Sequence, residues 1–169
     1  MSLLIDPVVG QPHLAMDLVQ HFVANVLNAD NSPVFVNGVA DNNNTDPTLI
    51  YLLPYYLEEK PDNCAVIRVT DKDPNGENPV RRASVTVVFR MPLSADQTVS
   101  AQSRSSAAAE ALVQWLRPNG VVRTHQTLPS GRLARIFSRV LNTPLGEDNS
   151  RRFTTNVTFD LLYLDINVP

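Results

Sequence analysis

Three histidines and one cysteine are the side chains of this sequence best suited to metal binding or nucleophilic chemistry. His13 and His21 stand eight residues apart, a spacing that can bring both to one face of a helix, but no third ligand lies nearby. His125 stands alone in a stretch that reads as strand, so exposed or core-edge histidines are the plainer reading of all three. Cys64 could serve as a nucleophile with His125 as its base, yet nothing in the sequence places them together. A cysteine inside an apolar strand is ordinarily a small buried hydrophobe. Glu58 and Glu59 sit beside a loop and read as a solvated pair rather than an acid/base couple. The six glycines, Gly10, Gly38, Gly76, Gly120, Gly131 and Gly146, are too dispersed for a phosphate-cradling loop or a dinucleotide turn. The expectation is a protein without metal, cofactor or catalytic residues, and not an enzyme.

The other chemistry available is charge. The chain has 169 residues, 43% hydrophobic and 18% charged, enough for one domain over 1-169 with a real core. Residues 1 to 59 contain Asp6, Asp17, Asp30, Asp41, Asp46, Glu58 and Glu59 and no Lys or Arg; all 14 basic residues follow. All of these are Arg except Lys60 and Lys72. Arginine presents a planar fork that pairs with carboxylates in fixed geometry, which favours protein contacts over loose phosphate binding. Coding composition is the competing explanation of the asymmetry. A net charge of -3 also makes the chain a poor general nucleic-acid binder. The N-terminus has neither a basic start nor a long apolar stretch, so a soluble protein made in the cytosol, without membrane contact, is expected.

These side chains must be positioned by helices and strands. Pro12 to Asn28 carries Leu14, Leu18, Phe22 and Val26 at helical spacing, widened by Ala15, Val19 and Val23. Val34 to Val36 and Leu49 to Leu53 read as short strands around the polar run Asp41 to Pro47. Cys64 to Thr70 and Pro79 to Met91 form a long hairpin, its loop Asp71 to Asn78 holding the turn sequence Asp-Pro-Asn-Gly. In the second arm Ala83, Val85, Val87 and Phe89 alternate with mostly polar residues, so one sheet face is buried and needs a helix to cover it. Ser94 to Gln97 has capping-box form, and the Ala-rich segment after it reads as a helix to Leu116, ended by Pro118-Asn119-Gly120. Leu133 to Leu141 is ambiguous: its period favours a helix, although alternate residues also fit a strand. Asn142 to Ser150 is turn-like, and Arg152 to Val168 reads as a long strand. The order predicts an α+β fold, a mostly antiparallel β-sheet packed by two main helices.

Several pieces, in order, resemble the tail terminator (minor capsid, head-tail joining) family of tailed bacteriophages. Pro33-Val34-Phe35-Val36-Asn37-Gly38 resembles its first strand, and Val85-Thr86-Val87-Val88-Phe89-Arg90 its central strand. The most telling piece is Thr143 to Phe153, whose Pro144, Leu145-Gly146 and Asp148 turn runs into Arg152-Phe153 and an alternating final strand. The resemblance implies a structural virion protein that needs no catalysis: a ring, expected to be a homohexamer, that caps the tail tube, ends its polymerisation and joins the tail to the neck or head. It implies as partners the tail tube protein and a neck or head completion protein, with genomic DNA passing through the lumen unbound. It also implies that 133 to 141 is a strand paired with 152 to 160. The runner-up within phage proteins is a neck completion or tail tube subunit; a small enzyme or a nucleic-acid-binding module are the readings from other classes. For ring contacts the expected residues are Arg81, Arg82, Arg90, Arg104, Arg151 and Arg152, pairing with acids of the first 59 positions of a neighbour. The loop bearing Asp71, Asp73 and Glu77 is expected to project, keeping any lumen-facing part acidic.

Overall fold

In this computed structural model the residues described are 14–38, 49–55, 63–72, 79–92, 98–136, 139–149 and 151–164. Helix α1 (Leu14–Asn25) forms where the apolar spacing predicts it, burying Leu14, Leu18 and Phe22 on one stripe with Ala15 and Val19. A turn follows, in which Asn31 takes φ 66° and the Asp30 carboxylate accepts the Ser32 N–H at 3.0 Å. The chain then enters β1 (Phe35–Asn37), which pairs parallel with β2 (Ile50–Leu53); β2 in turn pairs parallel with β3 (Cys64–Asp71). β3 and β4 (Val80–Pro92) are the expected hairpin arms, in register from Cys64↔Arg90 to Asp71↔Ala83.

The second helix, α2 (Thr98–Leu116), ends in a 3-10 turn over Pro118–Gly120. Beyond it come β5 (His125–Thr127), β6 (Leu133–Ile136), β7 (Leu141–Glu147) and β8 (Arg152–Leu164). The sheet runs β1-β2-β3-β4-β8-β6-β5. β8 is its spine: one edge pairs with all of β4, while the other takes β7 against Phe153–Thr158 and β6 against Leu161–Tyr163. The fold is α+β, with a mostly antiparallel sheet of eight strands and two α-helices among the described residues.

Alternation decides which face the helices cover. Ala65, Ile67, Ala83, Val85, Val87, Phe89, Val157, Phe159 and Leu161 point into one core with both helices and are essentially inaccessible. The sheet-facing side of α2 is small, with Ala101, Ser105, Ala108 and Ala109 buried before Leu112, Val113 and Leu116. Small residues let its axis approach closely, and the Ser105 and Thr155 hydroxyls bond at 2.7 Å, satisfying two buried polar groups. The opposite sheet face is polar along β4 and β8, through Ser84, Thr86, Thr158 and Asp160. It turns apolar near β2 and β3, where Tyr51, Leu53, Cys64 and Val66 make a second, smaller cluster, and again beyond Ser84 and Asp160, at Val80, Leu162 and Leu164.

Two expectations need correction. The helical period over Leu133 to Leu141 does not produce a helix: Leu133–Ile136 is strand, with Ala134 and Ile136 buried and Leu133 and Arg135 exposed. The open edge of β8 supplies hydrogen bonds and a place for alternate side chains, and this tertiary pairing overrides local period. On the edge of β8 away from β4, 133 to 136 pairs with Leu161–Tyr163 rather than with 152 to 160. The partner of Phe153–Thr158 on that edge is Leu141–Glu147, which overlaps the segment read as turn-like. Its turn-forming residues are absorbed by an irregularity, because the register shifts between Pro144 and Gly146 and Gly146 takes φ 85°. The polar run Asp41 to Pro47 and the capping box Ser94 to Gln97 lie outside the described residues.

Candidate interaction site

The six candidate arginines occupy different settings. Arg81 faces the helix side near the hairpin tip, 8% exposed, with its guanidinium donating to the Asp71 carboxylate at 2.6 Å. Asp71 is accordingly a β3 residue held by its own chain rather than a free acid of a projecting loop. Lys72 beside it reaches Asp160 at 2.7 Å. Asp73 and Glu77 lie outside the described residues.

Arg82, Arg90 and Arg152 belong by register to the face away from the helices. Arg82 is exposed, whereas Arg90 and Arg152 are partly buried. Arg82 and Arg90 are eight strand positions apart, about 27 Å at 3.4 Å per residue. Arg104 lies on α2 and donates to the side-chain oxygen of Asn63. Arg151 is exposed at the tip of the last hairpin, with φ 58°, and its Nε lies 3.0 Å from Glu147. Asp148 organises that turn: its carboxylate accepts the Arg152 N–H at 3.0 Å and its carbonyl accepts the Arg151 N–H at 3.1 Å. Pro144 and Gly146 stand before it, inside β7. The arginines thus form no single cluster.

The most buried charged pair was not singled out in the sequence. Asp17 on α1 is wholly buried, and its carboxylate accepts the Ser130 N–H at 3.0 Å, the Ser130 hydroxyl, and Arg132 at 3.2 Å. Arg132 is itself 5% exposed and lies over the Tyr163 ring at 5.9 Å. One acid of the N-terminal part, Asp17, is therefore paired with a base of the remainder inside one subunit. The signal available was an acid at Asp17 on the apolar stripe of α1, beside Leu14 and Leu18. Such a position demands a buried partner.

One helical turn on, His21 is buried against Trp115, ring centroids 5.4 Å apart, and Arg123 lies over the same indole at 4.7 Å. Its Nε2 is 3.2 Å from the Gln126 side-chain oxygen and its Nδ1 3.4 Å from the Asn25 amide. Together these suit a neutral ring carrying its proton on Nε2. Burial pushes the His21 pKa below its ordinary value; the Gln126 bond and the Asp17 charge oppose this, and Arg123 adds to it. The void beside His21, lined by Leu18, Trp115 and Phe159, is only about 10 Å³. That is room for one water at most.

Cys64 and His125 do not meet. Cys64 is fully buried in β3 and His125 is exposed on β5, four strands across the sheet and, by register on β8, eight positions along it from Thr154 to Leu162, about 27 Å in that direction alone. His13 is outside the described residues, as are Glu58 and Glu59. Among the described residues no three His, Cys, Asp or Glu side chains gather as metal ligands, and no helix is long and apolar enough to cross a membrane.

No family model and no curated protein matches the chain. A solved chain whose name states no function is similar at 14% identity and a TM-score of 0.46, over 89% of this chain and 96% of its own. So loose a likeness carries no functional argument.

Proposed function

We propose that this chain is a tail terminator subunit of a tailed bacteriophage, a structural virion protein whose ring caps the tail tube, ends its polymerisation and joins it to the neck. The observation that supports the reading is the C-terminal segment. The family resemblance implied strand where the local period pointed to helix, and Leu133–Ile136 is strand, although it pairs with Leu161–Tyr163 of β8 and not with the implied 152 to 160. The remaining elements follow the order the resemblance implies: helix, short strands, long hairpin, helix, hairpin. A ring subunit needs a stiff sheet and head-to-tail contacts that close on themselves, and the β4–β8 spine is a stiff scaffold for them.

Tail assembly with and without the protein tests this. Tubes assembled in its absence should overrun the normal length, and tubes assembled in its presence should stop and carry a ring at the head-proximal end in negative-stain micrographs. Tubes of unchanged length with no ring at their ends would refute the proposal.

A further inference from the structure

The β5–β6 hairpin is held to the rest of the fold along a short seam. Among the described residues β5 pairs only with β6, at the edge of the sheet, and β6 meets β8 only from Ala134↔Tyr163 to Ile136↔Leu161. By contrast, β4 runs against β8 from Val80↔Leu164 to Pro92↔Arg152. Leu128, Ala134 and Ile136 are the buried apolar anchors of the hairpin, while His125, Thr127, Leu133 and Arg135 are exposed. Helix α1 adds two polar ties one helical turn apart: Asp17 holds the β5–β6 turn through Ser130 and Arg132, and His21 holds β5 through Gln126.

Acid breaks the second tie. The neutral ring donates from Nε2 to the Gln126 oxygen and accepts at Nδ1 from the Asn25 amide, which also donates to the His21 carbonyl at 2.7 Å. A second proton lands on Nδ1, facing an NH2 group that cannot accept it. Turning the amide over would instead set its oxygen against the His21 carbonyl. Two charged groups face the ring, Asp17 from its own helix and Arg123 from the chain entering β5. Asp17 is already engaged by Ser130 and Arg132; Arg123, over the Trp115 indole at 4.7 Å, repels a second cation. The side chains that α2, β8 and β6 bring to the ring's pocket are Trp115, Leu116, Phe159, Leu161, Ala134 and Ile136, and none of them titrates. The void there, about 10 Å³, holds one water at most, too little to hydrate an imidazolium. We propose that the β5–β6 hairpin is an acid-released strap: protonation of His21 undocks β5 and β6 from α1 and β8 as one unit, while the β3–β4–β8 sheet stays paired. The strap opens because β6 is the short seam and β4 the long one, and opening bares the N–H and C=O groups of β8 at Leu161–Tyr163. The device is independent of the tail terminator reading.

Native-state hydrogen exchange on the full chain, read by NMR in low urea at pH 7.5, 6.5 and 5.5, tests it. Each protection factor is corrected for the intrinsic exchange rate at that pH. Leu128, whose N–H donates to the Arg132 carbonyl at 2.9 Å, and the paired amides of β5 and β6 should be less protected than those of β3 and β4. Their urea dependence should be shallower, because a small unit exposes little surface. The open strap binds the His21 proton more readily than the closed one, so hairpin protection should fall roughly three- to tenfold from pH 6.5 to 5.5, and about twofold at most from 7.5 to 6.5. His21→Gln, which keeps an amide to pair with Gln126 and removes the titration, should show no such fall. Arg123→Gln should show a smaller one, because without the repelling cation the closed ring takes its proton at higher pH; this variant carries the test if His21→Gln does not fold. Hairpin amides that share the protection and urea slope of β4, protection that does not change with pH, or an undiminished fall in the variants would each overturn the proposal.

Discussion

Replacing Asp17 with alanine should destabilise the fold more than any surface charge change, and the structure says by how much. The carboxylate has no solvent exposure and serves three donors: the Ser130 N–H and hydroxyl and the Arg132 guanidinium. Its removal takes this carboxylate away from a guanidinium that is only 5% exposed. Removing one partner of a buried pair costs about 3–5 kcal/mol. For a chain of this size that lowers the melting temperature by roughly 6–20 °C, at about 2–4 °C per kcal/mol. Asp17→Ala/Arg132→Met should recover most of the loss, since the methionine keeps the apolar contact with Tyr163 and removes the buried charge together with its carboxylate. Urea denaturation of wild type, both single variants and the double variant, read as a double-mutant cycle, measures this. A loss below about 1 kcal/mol for Asp17→Ala, or a double variant whose losses simply add, would refute the reasoning that the pair ties α1 to the β5–β6 turn.

Other consequences follow from particular side chains. Because the folded-state pKa of His21 is lowered, the unfolded chain takes up the proton first as pH falls. Stability contributed by neutral His21 is thus full above the ordinary value of 6.5 and declines as pH drops through 6.5 toward the lower folded value. The denaturant midpoint should fall between pH 7.5 and 5.5, and His21→Gln should flatten that fall; an equally steep variant contradicts the assignment. Gly146 sits at φ 85° with open space around its α-carbon, so Gly146→Ala should cost roughly 1–2 kcal/mol through backbone strain alone, measurable by thermal melting. If the melting temperature is unchanged, the β7 irregularity is not what Gly146 is needed for. Replacing residues 73 to 78 with Asn-Gly should leave the melting curve of the protein intact and, under the proposed tail terminator function, impair head-tail joining in phage that carry it. Normal joining would show that the loop only connects.

Much of this architecture was legible in the sequence. The stripe Leu14, Leu18, Phe22 and the alternation Ala83, Val85, Val87, Phe89 each report a one-sided burial, and each became the element its period implies. The hairpin from Cys64 to Met91 was visible because turn residues separate two β-rich runs. The C-terminal region was less legible for a physical reason. Pro144 and Gly146 are turn residues by local preference, yet they lie in β7, because a bulge against β8 can house a residue at positive φ. Leu133 to Ile136 fits two periods over four residues, too few to choose between them.

Charge followed the same division. The sequence by itself determined that the first 59 residues hold acids and no base while all 14 bases follow, because that is a matter of composition along the chain. Only the tertiary structure decided which of these charges are already spoken for. It brings Asp17 to Arg132 across 115 residues, Arg81 to Asp71 across 10, and Lys72 to Asp160 across 88. The same packing leaves Arg82 and Arg135 open beside Val80 and Leu133. Side-chain period tells which residues share a face of one strand. Which strands lie side by side, and hence which charges and apolar groups become one surface, is set by the long-range pairing of β8 with β4 on one edge and β6 and β7 on the other.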